Sequence, residues 1–116
     1  MYNIVICGSG FIGSIHSQAY RNQVNGRLIG VMDANAQKAK ALADELGVKA
    51  YSSIDSVLKD DTVDVLDVCV PTFLHREFVE NGLSAGKHVM CEKPMALTLE
   101  DCAAIVNAAE KASTMF

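Results

Sequence analysis

An acid, a base and an imide stand side by side at Glu92-Lys93-Pro94, directly after the short apolar run His88-Val89-Met90-Cys91. They stand at what reads as the carboxyl end of a strand. In an open parallel sheet that edge is where ligands bind. Near the other end of the chain, Gly8-Ser9-Gly10-Phe11-Ile12-Gly13 follows a second apolar run, Tyr2–Cys7, and opens a helical pattern. Glycines so spaced permit a tight turn, close approach of the backbone to a pyrophosphate, and close packing of helix on sheet. The helix N-terminus then favours the anion through its free N–H groups and dipole.

Asp33 lies twenty residues after Gly13 and ends the next apolar run. A carboxylate there can accept hydrogen bonds from ribose hydroxyls, so the glycine turn and Asp33 together predict a bound dinucleotide. A 2′-phosphate would meet a like charge at Asp33, and position 34 is Ala rather than Arg, so NAD is expected in preference to NADP. The alternative for Asp33 is a solvated carboxylate that caps the following helix.

Positioning these groups requires strands that alternate with helices. Strands are expected at Tyr2–Cys7, Leu28–Met32, Val48–Tyr51, Val63–Val70 and Lys87–Cys91. The first helix carries Ile12, Ile15, His16, Ala19 and Tyr20 on one face, and the second carries Ala39, Leu42, Ala43 and Leu46 between an Asn35 cap and Gly47. Ser52-Ser53-Ile54-Asp55 has capping-box spacing for a short helix, Thr72 is placed to cap the next, and Thr98 to cap a last one with Cys102, Ile105, Val106 and Ala109 inward. Pro71 ends the fourth strand. The expected fold is α/β, a doubly wound parallel (Rossmann) sheet of order 3-2-1-4-5, in a single domain over residues 1–116. Another strand would be expected to begin at Thr114-Met115-Phe116.

A net charge of −4 argues against nucleic-acid and anionic-membrane partners. No run approaches the roughly 18 apolar residues that span a bilayer. Met1 leads straight into strand-like sequence without a signal peptide, so the expected compartment is the cytoplasm. Cys7, Cys69, Cys91 and Cys102 have no metal-ligand spacing and read as small buried hydrophobes, leaving no metal site. His16, on the inward stripe, and His88, within a strand, read as structural.

The run Val70-Pro71-Thr72-Phe73-Leu74-His75, followed by Ala85-Gly86-Lys87-His88-Val89-Met90-Cys91-Glu92-Lys93-Pro94-Met95-Ala96, closely resembles the Gfo/Idh/MocA oxidoreductases. The resemblance covers the whole chain. It implies an N-terminal Rossmann domain, a C-terminal substrate domain built on a large open sheet, and hydride transfer between NAD(P) and a hydroxyl- or carbonyl-bearing carbon of a sugar, cyclitol or related compound. Lys93 matches the family's active-site lysine, and Glu92 a residue beside the nicotinamide ribose, with an ion pair to a neighbouring loop as its alternative. Pro71, Thr72 and His75 match a segment that touches the cofactor across the switch point. Pro94 is expected to aim Lys93 into the cleft, with a cis Lys93-Pro94 bond as a further expectation. Asp67 departs from the pattern, standing where the fourth strand should be aliphatic; a buried carboxylate there needs a partner.

The cofactor-binding set is therefore Gly8, Ser9, Gly10, Phe11, Ile12, Gly13, Asp33, Pro71, Thr72, His75, Glu92 and Lys93, with Lys93 also catalytic. The family's proton-transfer residues belong to the substrate domain, which this chain lacks. These residues are thus expected to bind NAD without turnover, as a truncated piece of a dehydrogenase that forms homo-oligomers through the missing domain. Rival readings are an NAD-sensing regulatory module, which has no use for Glu-Lys-Pro, and an enzyme like biliverdin or dihydrodipicolinate reductase.

Overall fold

Short runs rich in Val and Ile become strands, and the stripes of 3.6-residue period between them become helices. The computed structural model describes residues 1–116 and places β1 (Tyr2–Cys7), β2 (Gly26–Met32), β3 (Lys49–Tyr51), β4 (Val65–Val68) and β5 (His88–Cys91) in one parallel sheet. Its order is β3-β2-β1-β4-β5, the expected doubly wound arrangement. The register slips once, where β2 inserts Ile29 between the residues opposite Ile4 and Val5. β4 is shorter than Val63–Val70, but backbone bonds from Asp64 to Asn3 and from Cys69 to Cys7 continue its ladder with β1 at both ends. Thr114 and Met115 run beside the outer edge of β5: the Val89 N–H donates to the Met115 carbonyl at 2.9 Å, and the Thr114 hydroxyl to that of Lys87.

Five helices cover the sheet: α1 (Phe11–Ala19), α2 (Ala36–Leu46), α3 (Ile54–Leu58), α4 (His75–Ser84) and α5 (Leu99–Lys111). Alternate residues of the central strands face opposite ways. Val5, Cys7, Leu66 and Val68 join Val57, Phe78, Val79, Leu83, Val89 and Ile105 in the main core, under α3, α4 and α5. On the other side, Val31 packs on Leu42 and Ala43 of α2. The Asn35 side chain accepts from the amides of Gln37 and Lys38, and Gly47 closes α2, as the sequence predicts.

Four details differ from expectation. The inward face of α1 is Gly13, His16 and Ser17, continued by Tyr20 in the 3-10 turn that follows, while Ile12 and Ile15 remain 37% and 46% exposed and Ala19 also faces out. The helix is turned so that its glycine meets the sheet and its polar groups meet Asp67. The capping box of α3 is Ser53 with Ser56, one residue later than Ser52 with Asp55, because the helix starts at Ile54 and only the Ser53 hydroxyl reaches its third amide. Thr72 does not cap α4: Pro71 leads into a 3-10 turn over Thr72–Leu74, and α4 begins only at His75, with no side-chain cap. In α5 the stripe set by buried Ile105 continues through Ala108, Ala109 and Ala112, leaving Val106 45% exposed.

Candidate cofactor site

β1 delivers the chain to Gly8, whose φ of +107° is open to glycine alone and whose Cβ would fall 2.6 Å from the Cys69 carbonyl oxygen. At Gly13 a Cβ would lie 2.0 Å from the Gly8 carbonyl oxygen, so α1 can approach the turn this closely only without a side chain there. Gly10 is different. It precedes α1 without any side-chain cap, and nothing lies within 4 Å of where its Cβ would be. The first amides of α1 therefore border an open cradle, the geometry that an anion needs.

Asp33 follows β2 and is tied to the same turn. Its Oδ2 accepts from both the amide and the hydroxyl of Ser9 at 2.8 Å, and its Oδ1 accepts from the Asn35 amide at 2.8 Å. Partial burial pushes this carboxyl upward, but the Ser9 and Asn35 bonds and the nearby Lys38 ammonium outweigh it and hold the group below its ordinary range. With acceptor capacity left over, ionised Asp33 suits a pair of hydroxyls.

Across the switch point stand the loops after β4 and β5. His75 is almost fully buried, with Nε2 2.9 Å from the Val70 carbonyl oxygen and Nδ1 2.9 and 3.2 Å from those of Pro94 and Met95. Its ring thus fastens the two loops together. The Lys93-Pro94 bond is cis. Lys93 is exposed and takes part in none of the chain's ion pairs. Glu92 turns toward α1: its Oε1 lies 2.9 Å from His16 Nε2, and its Oε2 accepts from the Lys93 amide at 3.1 Å. The side-chain partner of Glu92 thus comes from a helix rather than a neighbouring loop, and the contact is an ion pair when His16 is protonated.

Asp67, fully buried beside Ile6 of β1, finds the partners its position demands. Its Oδ2 accepts from the Tyr20 hydroxyl at 2.9 Å and lies 2.8 Å from His16 Nδ1, and the Cys69 thiol points at its other oxygen. His16, Asp67 and Cys69 bring three metal-ligating atoms within 4.8 Å, an approach that these hydrogen bonds account for. All four cysteines are free. Burial, then the Glu92 charge, pushes the Cys91 thiol up to about 11, which leaves little thiolate at neutral pH.

Gly8, Gly10, Phe11 and Ile12 of the glycine turn, Asp33, the Pro71–His75 segment, Glu92 and Lys93 line one cleft of about 670 Å³ at the carboxyl edge of the sheet, while Ser9 and Gly13 shape the turn behind it. A side pocket of about 410 Å³ continues from Asp33 toward Ser52, Ile54 and Leu74. Sequence reasoning missed that pocket and missed Lys38, which lines the cleft beside Asp33. Both were accessible in principle, since the end of the third strand and the start of the second helix share the ligand-binding edge. A long cleft with an amide cradle and a hydroxyl-accepting carboxylate at one end, and an unpaired ammonium at the other, fits a nicotinamide dinucleotide.

Known proteins share this sequence pattern and fold. Residues 2–116 match the family model for the Gfo/Idh/MocA oxidoreductases, described as an oxidoreductase family with an NAD-binding Rossmann fold. Glucose-6-phosphate 3-dehydrogenase of Bacillus subtilis is 36% identical over 113 residues, which are 97% of this chain and 32% of the relative. The crystal structure of an NAD-binding protein from Listeria innocua superposes with a TM-score of 0.92 at 39% identity, over 99% of this chain and 34% of that one. Levoglucosan dehydrogenase in complex with NADH and levoglucosan gives 0.85 at 28% identity, over 97% of this chain and 33% of that one. The chain spans about a third of the length of the relatives it matches. It has no helix long and apolar enough to cross a membrane. With residues 2–116 matched by the family model and the fold matched by its solved members, the chain belongs to the Gfo/Idh/MocA oxidoreductase family, as an NAD-binding Rossmann domain.

Proposed function

We propose that residues 1–116 are the cofactor domain of a cytoplasmic, oligomeric dehydrogenase that moves hydride between NAD and a hydroxyl- or carbonyl-bearing carbon of a sugar, cyclitol or related compound. A second domain, outside this chain, would hold the substrate and supply the proton-transfer groups. The observation that carries the reading is the single cleft that joins the glycine turn and Asp33 to Lys93. Family membership and sugar-active relatives support it.

The bound dinucleotide supplies the hydride chemistry. The chain's own part is to bind and orient. The α1 amides above Gly10 hold a pyrophosphate, while Asp33, preset by Ser9 and Asn35, accepts from the adenosine ribose and disfavours a 2′-phosphate. Phe11, Ile12, Pro71 and Thr72 line the cleft between the ends, and His75 fixes the loops on either side. Lys93 presents an ammonium where negative charge develops on a substrate oxygen. Calorimetric titration with NAD and with NADP tests this directly. NAD is expected to bind more tightly, and Asp33→Ala to weaken NAD by about tenfold or more while narrowing the gap to NADP. Equal affinity for both cofactors, or an Asp33→Ala protein that binds NAD like the wild type, would overturn the assignment.

A further inference from the structure

Beneath the cleft, α1 meets the sheet through polar contacts that end on Glu92. Asp67 lies fully buried on β4, and the ring of His16 stands between its Oδ2, 2.8 Å from Nδ1, and Glu92 Oε1, 2.9 Å from Nε2. The remaining Glu92 oxygen accepts from the Lys93 amide. A neutral imidazole has one N–H and would turn a lone pair on one of the two carboxylates, whereas the imidazolium donates to both. Burial alone would lower the ring's pKa, but bonds and charge from Asp67, with those from Glu92, outweigh it and raise the pKa above its ordinary value.

We propose that His16 is a positioning residue of the cofactor site: as an imidazolium backed by Asp67, it fixes the Glu92 carboxylate and, through it, the Lys93 backbone at the edge of the cleft. The inference rests on the cofactor reading of that cleft. Loss of the ring proton leaves the Nδ1–H on Asp67 and sets the Nε2 lone pair against Glu92. Glu92 is then released toward the cleft, where it opposes the negative charge of a dinucleotide. The other titratable groups of this cluster are Cys69 after β4, whose thiol lies 3.5 Å from His16 Nδ1, Tyr20 just past α1, which bonds Asp67, and Cys7 and Cys91, which feel the charges of Asp67 and Glu92. Burial, followed by the acidic neighbours, shifts all four upward, so near neutrality His16 is the group among them that changes charge. Dinucleotide affinity is therefore full below the ring's pKa and falls as pH rises through it.

The test follows the His16 ring by NMR and the dissociation constant of NADH between about pH 6 and 9, in the wild type, His16→Gln, Asp67→Asn and Glu92→Gln. In the wild type, the ring is expected to titrate above the ordinary histidine value and to move higher with NADH. A rise of one unit corresponds to about tenfold weaker binding at the alkaline end. Asp67→Asn should shift the inflection to lower pH without any contact with the cleft, and His16→Gln and Glu92→Gln should abolish it. Glu92, only half-buried at the cleft edge, keeps the test decidable if Asp67→Asn fails to fold. NADH binding with a flat pH profile, or an inflection that survives His16→Gln, overturns this inference alone. No NADH binding at any pH overturns the cofactor reading and this inference with it.

Discussion

Two glycines of one turn should respond oppositely to the same methyl group. Gly13→Ala sets a Cβ 2.0 Å from the Gly8 carbonyl oxygen, backbone against backbone with no flexible end to yield. A loss of about 2–3 kcal/mol is expected in urea unfolding. Gly10→Ala meets nothing within 4 Å, so stability should stay within about 1 kcal/mol of the wild type while NADH binding weakens, because the methyl occupies the cradle. A Gly10→Ala protein that binds NADH normally would refute the cradle. The glycine spacing was legible as a turn, but the division of labour within it was not, since it depends on which atoms of distant strands stand above each Cα.

At the scale of elements, Lys87 shows how a residue within the most family-specific block can serve the frame instead of the site. It precedes β5, is almost wholly buried, and donates to the carbonyls of Asp60 and Val63 at 3.0 and 2.9 Å, fastening the turn that leads into β4. Lys87→Met keeps the apolar stem and removes the donors. It is expected to cost about 1.5–3 kcal/mol by thermal or urea unfolding, with NADH affinity per folded molecule unchanged. A fully stable variant would remove Lys87 from the frame. α1 teaches the same lesson in reverse. The expected stripe is Ile12, Ile15, His16, Ala19 and Tyr20; His16 and Tyr20 do turn inward, but helical periodicity allows a neighbouring stripe, and Gly13 and Ser17 take the place of Ile12, Ile15 and Ala19. Asp67 on β4 keeps His16 and Tyr20 inward, because a buried carboxylate is stable only under donors.

For the whole molecule, a radius of gyration of 13.2 Å is what a self-contained domain of this length should have, which makes binding experiments on the chain itself meaningful. Phe11, Phe73, Leu97 and Leu99 are nevertheless largely exposed. On the proposed reading the substrate is held by a second domain, and hydride transfer needs it at reacting distance over the nicotinamide. The chain is therefore expected to bind NADH with no measurable turnover on sugars or cyclitols, and steady oxidation or reduction by it alone would contradict that. Alternating short apolar runs and helical stripes were enough to determine the doubly wound sheet from sequence, because periodicity and right-handed crossovers leave few topologies. Local chemistry likewise marked the glycine turn, Asp33 and Glu92-Lys93-Pro94. Tertiary structure alone decided that Asp67 lies under His16 and that His16 reaches Glu92, because those contacts join residues about fifty and seventy-five positions apart through side chains, and no local periodicity carries that information.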